Sequence, residues 1–188
     1  ITIPHKESAY KIIKNIGEIS DLAEKIGAIN TLYQEDGKLY GTNTDYYGFK
    51  NNLLAKVKDF SFKDKKIGII GAGGAARAIM AGLSTENISA IYFANFNFLK
   101  AEKLKTEFFK NAEIFSLEQL NELIENSDLI VNTTSNGLKG EEFLSYNFKQ
   151  DSGKIIYDIV YNPLITKFLR EAQKANLTIV TGLGMLIY

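Results

Sequence analysis

The chain has 188 residues, and its 22 lysines and arginines balance 22 aspartates and glutamates, which gives a formal net charge of zero. This balance argues against a protein that binds nucleic acid by neutralising phosphates, and no apolar run is long enough to cross a bilayer. The chain has no cysteine and only one histidine, His5, which excludes thiolate chemistry and leaves no predicted metal site. We therefore expect a cytoplasmic protein that binds neither nucleic acid nor membrane.

The first 50 residues predict a strand, a helix and two hairpin strands. In chain order these elements cover residues 2–3, 7–13, 29–33 and 38–41. Pro4 would stop the first strand, and residues 35–37 (Glu-Asp-Gly) are typical of a hairpin turn. Asp45 precedes a helix predicted over residues 46–54 and would be its acidic N-cap. Because so few elements cannot close a core, residues 1–45 are predicted to be part of a second domain.

From residue 64 onward, short apolar segments alternate with helical ones. The predicted strands cover residues 66–70, 88–94, 112–115, 128–132, 154–160 and 177–181. The predicted helices cover residues 74–83, 99–109, 117–124 and 164–175. Near-continuous apolar strands that alternate with helices indicate a parallel sheet covered on both faces. The predicted fold class is therefore α/β, with a Rossmann-like doubly wound sheet in a domain of residues 46–181 and a return toward the second domain at residues 182–188.

A glycine-rich turn lies between the strand at residues 66–70 and the helix after it. Its sequence fits G-x-G-x-x-A and consists of Gly71, Ala72, Gly73, Gly74, Ala75 and Ala76. In this pattern the first glycine makes a tight turn, the second lets the backbone approach a pyrophosphate, and the last small residue lets the helix pack on the strand. These six residues are predicted to bind a dinucleotide, and a purely structural turn is the alternative.

The turn after the next strand determines which dinucleotide is bound. An NAD-selective fold has a carboxylate there, whereas this chain has Asn95, Phe96 and Asn97. Without a negative charge to repel a 2′-phosphate, Asn95, Asn97 and Lys100 could donate to it, and Phe96 could stack on the adenine. The residues favour NADP (NADPH), with a weaker 2′-phosphate contact than an arginine would give. For Lys100, a solvated helix lysine is the alternative.

Six motifs in order, covering nearly the whole chain, resemble those of the shikimate dehydrogenase family. They are TIPHK at residues 2–6, GAINT at 27–31, GTNTD at 41–45, GAGGAARA at 71–78, DIVYNP at 158–163 and GLGML at 182–186. The resemblance departs from the family in three places. The chain begins after the family's Ser-x-Ser motif and stops one residue before its glutamine, so we expect a fragment. Phe96 stands where the family has the arginine of its phosphate clamp.

The resemblance implies that residues 1–45 are part of a substrate-binding and catalytic domain, and it implies roles for individual residues. Lys6 and Asp45 would form the catalytic pair, since an ammonium beside a carboxylate can hand a proton to a developing alkoxide. The implied substrate-binding residues are Thr2, Asn30 and Tyr161. The implied cofactor-binding residues near the nicotinamide are Ile159 and Gly182. Without the resemblance, Lys6 would be read as a surface lysine and Asp45 as a helix cap.

The function implied by the resemblance is the reversible NADPH-dependent reduction of 3-dehydroshikimate to shikimate, in the biosynthesis of chorismate and the aromatic amino acids. The expected partner is this small-molecule substrate, and the expected assembly is a monomer or a homodimer. Two alternatives remain open at this point. One is a quinate/shikimate dehydrogenase that uses NAD, and the other is a non-catalytic nucleotide-binding module.

Overall fold

The computed structural model of the chain describes residues 1–2, 5–138 and 145–188. The N-terminal part contains two helices and a three-stranded sheet, with bounds α1 Lys6–Ile13, β1 Glu18–Ile19, α2 Asp21–Ile26, β2 Thr31–Glu35 and β3 Lys38–Thr42. The strand order is β1-β3-β2, with β1 parallel and β2 antiparallel to β3. The predicted helix and hairpin are confirmed, and positive φ angles at Asp36 and Gly37 make the hairpin turn.

Two elements of this region were missed. The sequence reasoning overlooked β1 and α2, although Ser20 accepts a hydrogen bond from the Ala23 amide at the start of α2 and Gly27, at φ 71°, ends it. These two signals enclose only six residues, too few for a helical repeat to be visible. The strand predicted at residues 2–3 is not formed at Thr2, while Ile3 and Pro4 lie outside the described residues.

The larger part of the chain alternates strands and helices. Its bounds are α3 Asp45–Lys56, β4 Lys66–Ile70, α4 Gly74–Leu83, β5 Ala90–Ala94, α5 Phe98–Phe108, β6 Glu113–Phe115, a 3-10 helix Leu117–Gln119, α6 Leu120–Asn126, β7 Leu129–Asn132, β8 Ile155–Asp158, α7 Lys167–Lys174, β9 Thr178–Thr181 and α8 Leu183–Ile187. The six strands β4–β9 form one parallel sheet in the order β6-β5-β4-β7-β8-β9. The predicted α/β, Rossmann-like fold class is confirmed.

The strands of the large sheet are buried on both faces, as their apolar sequences predict. On one face, Ile67 and Ile69 of β4 pack in the core with helices α3 and α4. On the other, Ile70 packs with helices α6 and α7. Strand order reverses between β4 and β7, so a crevice opens at their carboxyl ends, which is where doubly wound sheets bind ligands.

Helix α3 links the two parts of the chain. It packs closely against α4: a Cβ at Gly82 of α4 would lie 2.0 Å from the ring of Tyr46 of α3. It also packs closely against α8: a Cβ at Gly48 of α3 would lie 2.2 Å from the carbonyl oxygen of Met185 of α8. The domain boundary predicted between residues 45 and 46 stays a prediction. Within the described residues, no helix combines the length and the apolar character needed to cross a membrane.

Candidate active site

The first residues of two helices form an ion pair. Lys6 begins α1 and Asp45 begins α3, and the Lys6 Nζ lies 2.8 Å from the Asp45 Oδ2. The two side chains are only 23% and 16% exposed, so the pair is partly shielded from water. The predicted N-cap role of Asp45 is wrong: Thr44 occupies the cap position, and the Asp45 carboxylate accepts hydrogen bonds from side chains instead.

Asn30 holds the free oxygen of this carboxylate. Its Nδ2 donates to the Asp45 Oδ1 (3.0 Å) and to the Thr44 Oγ1 (3.1 Å). Its Oδ1 accepts from the Thr44 amide (3.0 Å) and from the Thr31 hydroxyl (2.9 Å). Both ends of the amide are therefore engaged, which fixes its orientation and that of the carboxylate beside it. The structure brings together Lys6, Asn30 and Asp45 as the sequence predicts.

The surrounding backbone explains why three separate motifs meet here. The Ile29 amide donates to the Lys6 carbonyl (3.1 Å), and the Asn30 amide donates to the Thr42 carbonyl (3.0 Å). Buried Asn43 adds a further support, because its Oδ1 accepts from the Asp45 amide (3.0 Å) and its Nδ2 donates to the Ala28 carbonyl (3.2 Å). The sequence reasoning gave Asn43 no role, although it lies in the same GTNTD motif.

The other two predicted substrate residues are Thr2 and Tyr161. Thr2 is exposed, and its carbonyl accepts a hydrogen bond from the His5 amide (2.9 Å) just before α1. Tyr161 follows β8 and is 51% exposed. Among the described residues, no hydrogen bond joins either side chain to Lys6 or Asp45. Their substrate-binding roles stay predictions.

The glycine-rich turn has the shape that a pyrophosphate requires. Gly71 has φ 108°, and a Cβ there would lie 2.6 Å from the Thr133 hydroxyl. By contrast, a Cβ on Gly73 or Gly74 would meet nothing within 4 Å, so the backbone at the start of α4 faces open space. Ala76 is fully buried in the core, as its predicted packing role demands. Amide groups at this exposed helix start are suited to an anion.

A cleft of about 340 Å³ lies beside this turn. Its lining includes Ala72, Gly73 and Gly74 from the turn, and Gly27 at the end of α2. Glu7, the residue after Lys6, also lines it. The cleft thus reaches from the glycine-rich turn to the elements that carry the Lys6 cluster.

In the second turn predicted to bind the cofactor, at residues 95–97, some of the polar groups already form hydrogen bonds within residues 95–100. The Asn97 Oδ1 accepts from the Lys100 amide (3.0 Å) and caps α5, while the Asn95 Nδ2 donates to the Asn97 carbonyl (2.8 Å). The Phe96 side chain is 72% exposed. Lys100, which was predicted to contact the 2′-phosphate, also lines the cleft beside the glycine-rich turn.

Ile159 and Gly182, predicted from the family resemblance, lie next to each other. A Cβ on Gly182 would lie 2.2 Å from the Ile159 carbonyl oxygen, so only glycine permits this approach of the two backbones. Both residues directly follow strands, β8 and β9 respectively, at the carboxyl edge of the sheet.

A buried polar network at the same edge was missed by the sequence reasoning. Asp158 has no exposed surface; its Oδ1 accepts from the Asn132 Nδ2 and the Val160 amide (both 3.0 Å), and its Oδ2 accepts from the Thr166 hydroxyl (2.7 Å). Burial raises the pKa of Asp158 to about 6. Polar residues at the ends of the apolar segments DLIVN and KIIYD were the available signal. The network fixes the loop that carries Ile159 and Tyr161.

The described residues contain no cluster of three or more histidines, aspartates or glutamates that could hold a metal ion. The described part of the site that can carry a proton is the Lys6–Asp45 ion pair.

The sequence matches the profile of the Shikimate / quinate 5-dehydrogenase family over residues 53–182. The chain belongs to this family. It is 41% identical over 192 residues to the shikimate dehydrogenase (NADP(+)) of Caldicellulosiruptor bescii, a match that covers all of this chain and 65% of that relative. The chain thus spans about 65% of the length of the curated relatives it matches.

Solved structures of family members have the same fold. Shikimate dehydrogenase from Aquifex aeolicus superposes with a TM-score of 0.83 at 37% identity, over 100% of this chain and 66% of that one. Shikimate 5-dehydrogenase from Listeria monocytogenes, in complex with shikimate and NAD, superposes with a TM-score of 0.84 at 30% identity, over 100% of this chain and 68% of that one. These matches confirm the predicted shikimate dehydrogenase resemblance.

Proposed function

We propose that the protein containing this chain is a shikimate dehydrogenase that reversibly reduces 3-dehydroshikimate to shikimate with NADPH. The observation that carries the proposal is the partly buried Lys6–Asp45 pair, whose carboxylate is held by Asn30, together with a cleft that extends from the glycine-rich turn to Glu7, the residue after Lys6. The name of the Caldicellulosiruptor relative supports both the substrate and the cofactor. We further propose a cytoplasmic protein, monomeric or homodimeric, in chorismate and aromatic amino-acid biosynthesis.

The residues of the glycine-rich turn fit a dinucleotide. A pyrophosphate would be held by the backbone at Gly73 and Gly74, whose open approach is what such a group needs. Ile159 and Gly182 would border the nicotinamide end, and Asn95, Phe96, Asn97 and Lys100 the adenosine end. When bound, the cofactor supplies or accepts the hydride.

The chain's own residues would supply the proton. In the direction of reduction, the Lys6 ammonium donates a proton to the carbonyl oxygen of the substrate as that oxygen becomes an alkoxide. The Asp45 carboxylate, 2.8 Å away, orients the ammonium group. Asn30 keeps the carboxylate from rotating, through its hydrogen bond to the second oxygen. In the direction of oxidation, a neutral Lys6 amine takes the hydroxyl proton.

Recognition of a polyhydroxylated substrate needs polar side chains that converge, because a buried hydroxyl without a partner is costly. We assign this role to Thr2, Asn30 and Tyr161. Asn30 has both amide hydrogens engaged, so it would bind substrate by exchanging the longer bond, the one to the Thr44 hydroxyl, for a bond to a substrate hydroxyl.

The experiment compares two lysines of the same helix region in the complete protein. Lys14, just past the end of α1, also forms an ion pair, with Glu24, but is far more exposed than Lys6. Lys6→Met keeps most of the aliphatic stem and should lower kcat for 3-dehydroshikimate by roughly 100- to 10,000-fold, with a much smaller change in KM. Lys14→Met should leave both constants unchanged. Near-normal kcat in Lys6→Met would mean that the proton comes from another group.

One alternative has an observation in its favour. The turn at residues 95–97 carries Phe96 and no arginine, which weakens the case for strict NADP use and leaves room for an NAD-using quinate/shikimate dehydrogenase. Comparing kcat/KM for NADPH with NADH, and for shikimate with quinate, separates the two enzymes. A complete protein that binds dinucleotide but turns over neither substrate would instead be a non-catalytic nucleotide-binding module.

A further inference from the structure

One face of helix α3 connects the Lys6–Asp45 pair to the carboxyl edge of the large sheet. Asp45, Gly48 and Asn52 are three and four residues apart along α3 and therefore share that face. Gly48 lies against the backbone of Met185 in α8, where a side chain would collide with the carbonyl group. Asn52 is fully buried and lies two turns, or about 10 Å along the helix axis, from Asp45. The helix therefore holds Asp45 and Asn52 at a fixed separation.

Asn52 forms two hydrogen bonds to the strands of the sheet. Its Nδ2 donates to the carbonyl of Thr181, the last residue of β9 (2.9 Å), and to the hydroxyl of Tyr157 on β8 (2.6 Å). Because a carbonyl can only accept, the amide must present its NH₂ group to Thr181, which fixes its orientation. The next residue after Thr181 is Gly182, which the proposed function places at the nicotinamide end of the cofactor.

Packing alone does not explain an asparagine at this position. Within the described residues, the buried Asn52 Oδ1 accepts no hydrogen bond. It lies against α8, where a Cβ on Gly184 would collide with it. A buried polar atom without a partner is costly, and an apolar side chain of similar size would avoid that cost. The two bonds that the NH₂ group donates are therefore the reason we assign to this residue.

We propose that Asn52 is a positioning residue, which fixes the separation between the Lys6–Asp45 pair and the cofactor edge at Gly182. The inference rests on the proposed function and deepens it. Reduction of a carbonyl requires a hydride at its carbon and a proton at its oxygen, and here the groups that place them lie on different parts of the chain. Because a misplacement of about 1 Å can cost about 100-fold in rate, the bond that joins α3 to the end of β9 determines how well both transfers align.

The test compares three variants of the complete protein at a temperature well below their thermal midpoints. Asn52→Ala loses both bonds, and its kcat for 3-dehydroshikimate should fall by about tenfold with a much smaller change in KM. Tyr157→Phe also loses a buried hydrogen bond but keeps the one from Asn52 to Thr181, so its kcat should change little. Asn51→Ala is the matched control, since Asn51 is exposed on the same helix, and it should leave kcat and KM unchanged.

Two readouts distinguish positioning from a general loss of stability. The first is the rate constant of NADPH oxidation in a single turnover with the protein saturating. A partly unfolded variant keeps the natural rate constant, because the molecules that remain folded react normally, whereas Asn52→Ala should be slower. The second is hydrogen exchange, which needs neither cofactor nor substrate. The amides of residues 182–185 should exchange faster in Asn52→Ala, while those of β4 stay unchanged.

The outcomes separate this inference from the proposed function. The natural single-turnover rate constant in Asn52→Ala, an equal loss in Tyr157→Phe, or exchange that quickens uniformly along the chain overturns the inference, while turnover by the natural protein still upholds the function. A natural protein without turnover overturns both. A slower rate constant confined to Asn52→Ala, with faster exchange at residues 182–185, supports both.

Discussion

Replacing buried Asp158 with asparagine should change how the stability of the protein depends on pH. The carboxyl group has no exposed surface and accepts three hydrogen bonds, all from uncharged donors, so burial dominates and raises its pKa from the ordinary 3.8 to about 6. The folded protein therefore holds a proton that the unfolded chain releases between these two pH values. Stability is highest below pH 3.8 as far as this group is concerned, and it falls as pH rises toward 6.

The size of the effect follows from the shift. At 1.36 kcal/mol for each pKa unit, ionising Asp158 in the folded state costs about 3 kcal/mol, of which about 2 kcal/mol falls between pH 4.5 and 7.5. Asparagine can keep the hydrogen bonds: its oxygen accepts from the Asn132 amide group and the Val160 amide, and its NH₂ group can donate to the Thr166 hydroxyl oxygen. It cannot ionise, so the cost disappears.

Urea unfolding of the natural protein and of Asp158→Asn at several pH values between 4.5 and 7.5 measures this directly. As pH rises from 4.5 to 7.5, the free energy of unfolding of the variant minus that of the natural protein should increase by about 2 kcal/mol. Glu86 and Glu107, whose pKa values are lowered by a lysine and an arginine respectively, act in the opposite direction but are present in both proteins and cancel in the difference. If the two stability curves run parallel, Asp158 is not the buried titrating group described above.

Two further predictions concern the cofactor site. Phe96→Arg should tighten NADPH binding by about 1–2 kcal/mol, the scale of a charge-assisted hydrogen bond, and leave NADH binding nearly unchanged; equal KM values for NADPH before and after the change would contradict this. Gly73→Ala should keep the thermal midpoint, because its Cβ meets nothing within 4 Å, yet weaken NADPH binding by filling the space a pyrophosphate needs. Gly82→Ala, whose Cβ would lie 2.0 Å from the Tyr46 ring, should instead lower the midpoint and serves as the opposite control.

The large sheet was predictable because its signals are strong and local. Apolar runs such as residues 66–70 and 128–132 are typical of strands buried on both faces, and the glycine-rich turn marks where the first strand meets its helix. The predicted boundary of an element differed from the observed one where a capping side chain, rather than the limit of an apolar run, sets that boundary. Helix α7, for example, starts at Lys167 because the Thr166 hydroxyl accepts from the Leu169 amide and caps it, not at residue 164 as predicted.

The candidate site was predictable only through the motifs that carry it. The family resemblance selected Lys6 and Asp45 from the many lysines and carboxylates of the chain. Sequence could not show that Asn30 orients the carboxylate, or that Arg77 is neutralised by Glu107, since these contacts join residues 15 and 30 positions apart. The mistaken cap at Asp45 has the same cause: a local rule was overridden by a partner from a distant part of the chain.

The measurement that tests the central claim most directly is the reduction of 3-dehydroshikimate by the complete protein, followed by the loss of NADPH absorbance, in the natural form and in Asp45→Asn. The variant keeps the shape of the side chain and its hydrogen bond from Asn30 but removes the charge beside Lys6. We predict NADPH-dependent turnover by the natural protein and a loss of kcat of at least about tenfold in the variant. No turnover by the natural protein, or full turnover by the variant, would contradict the account.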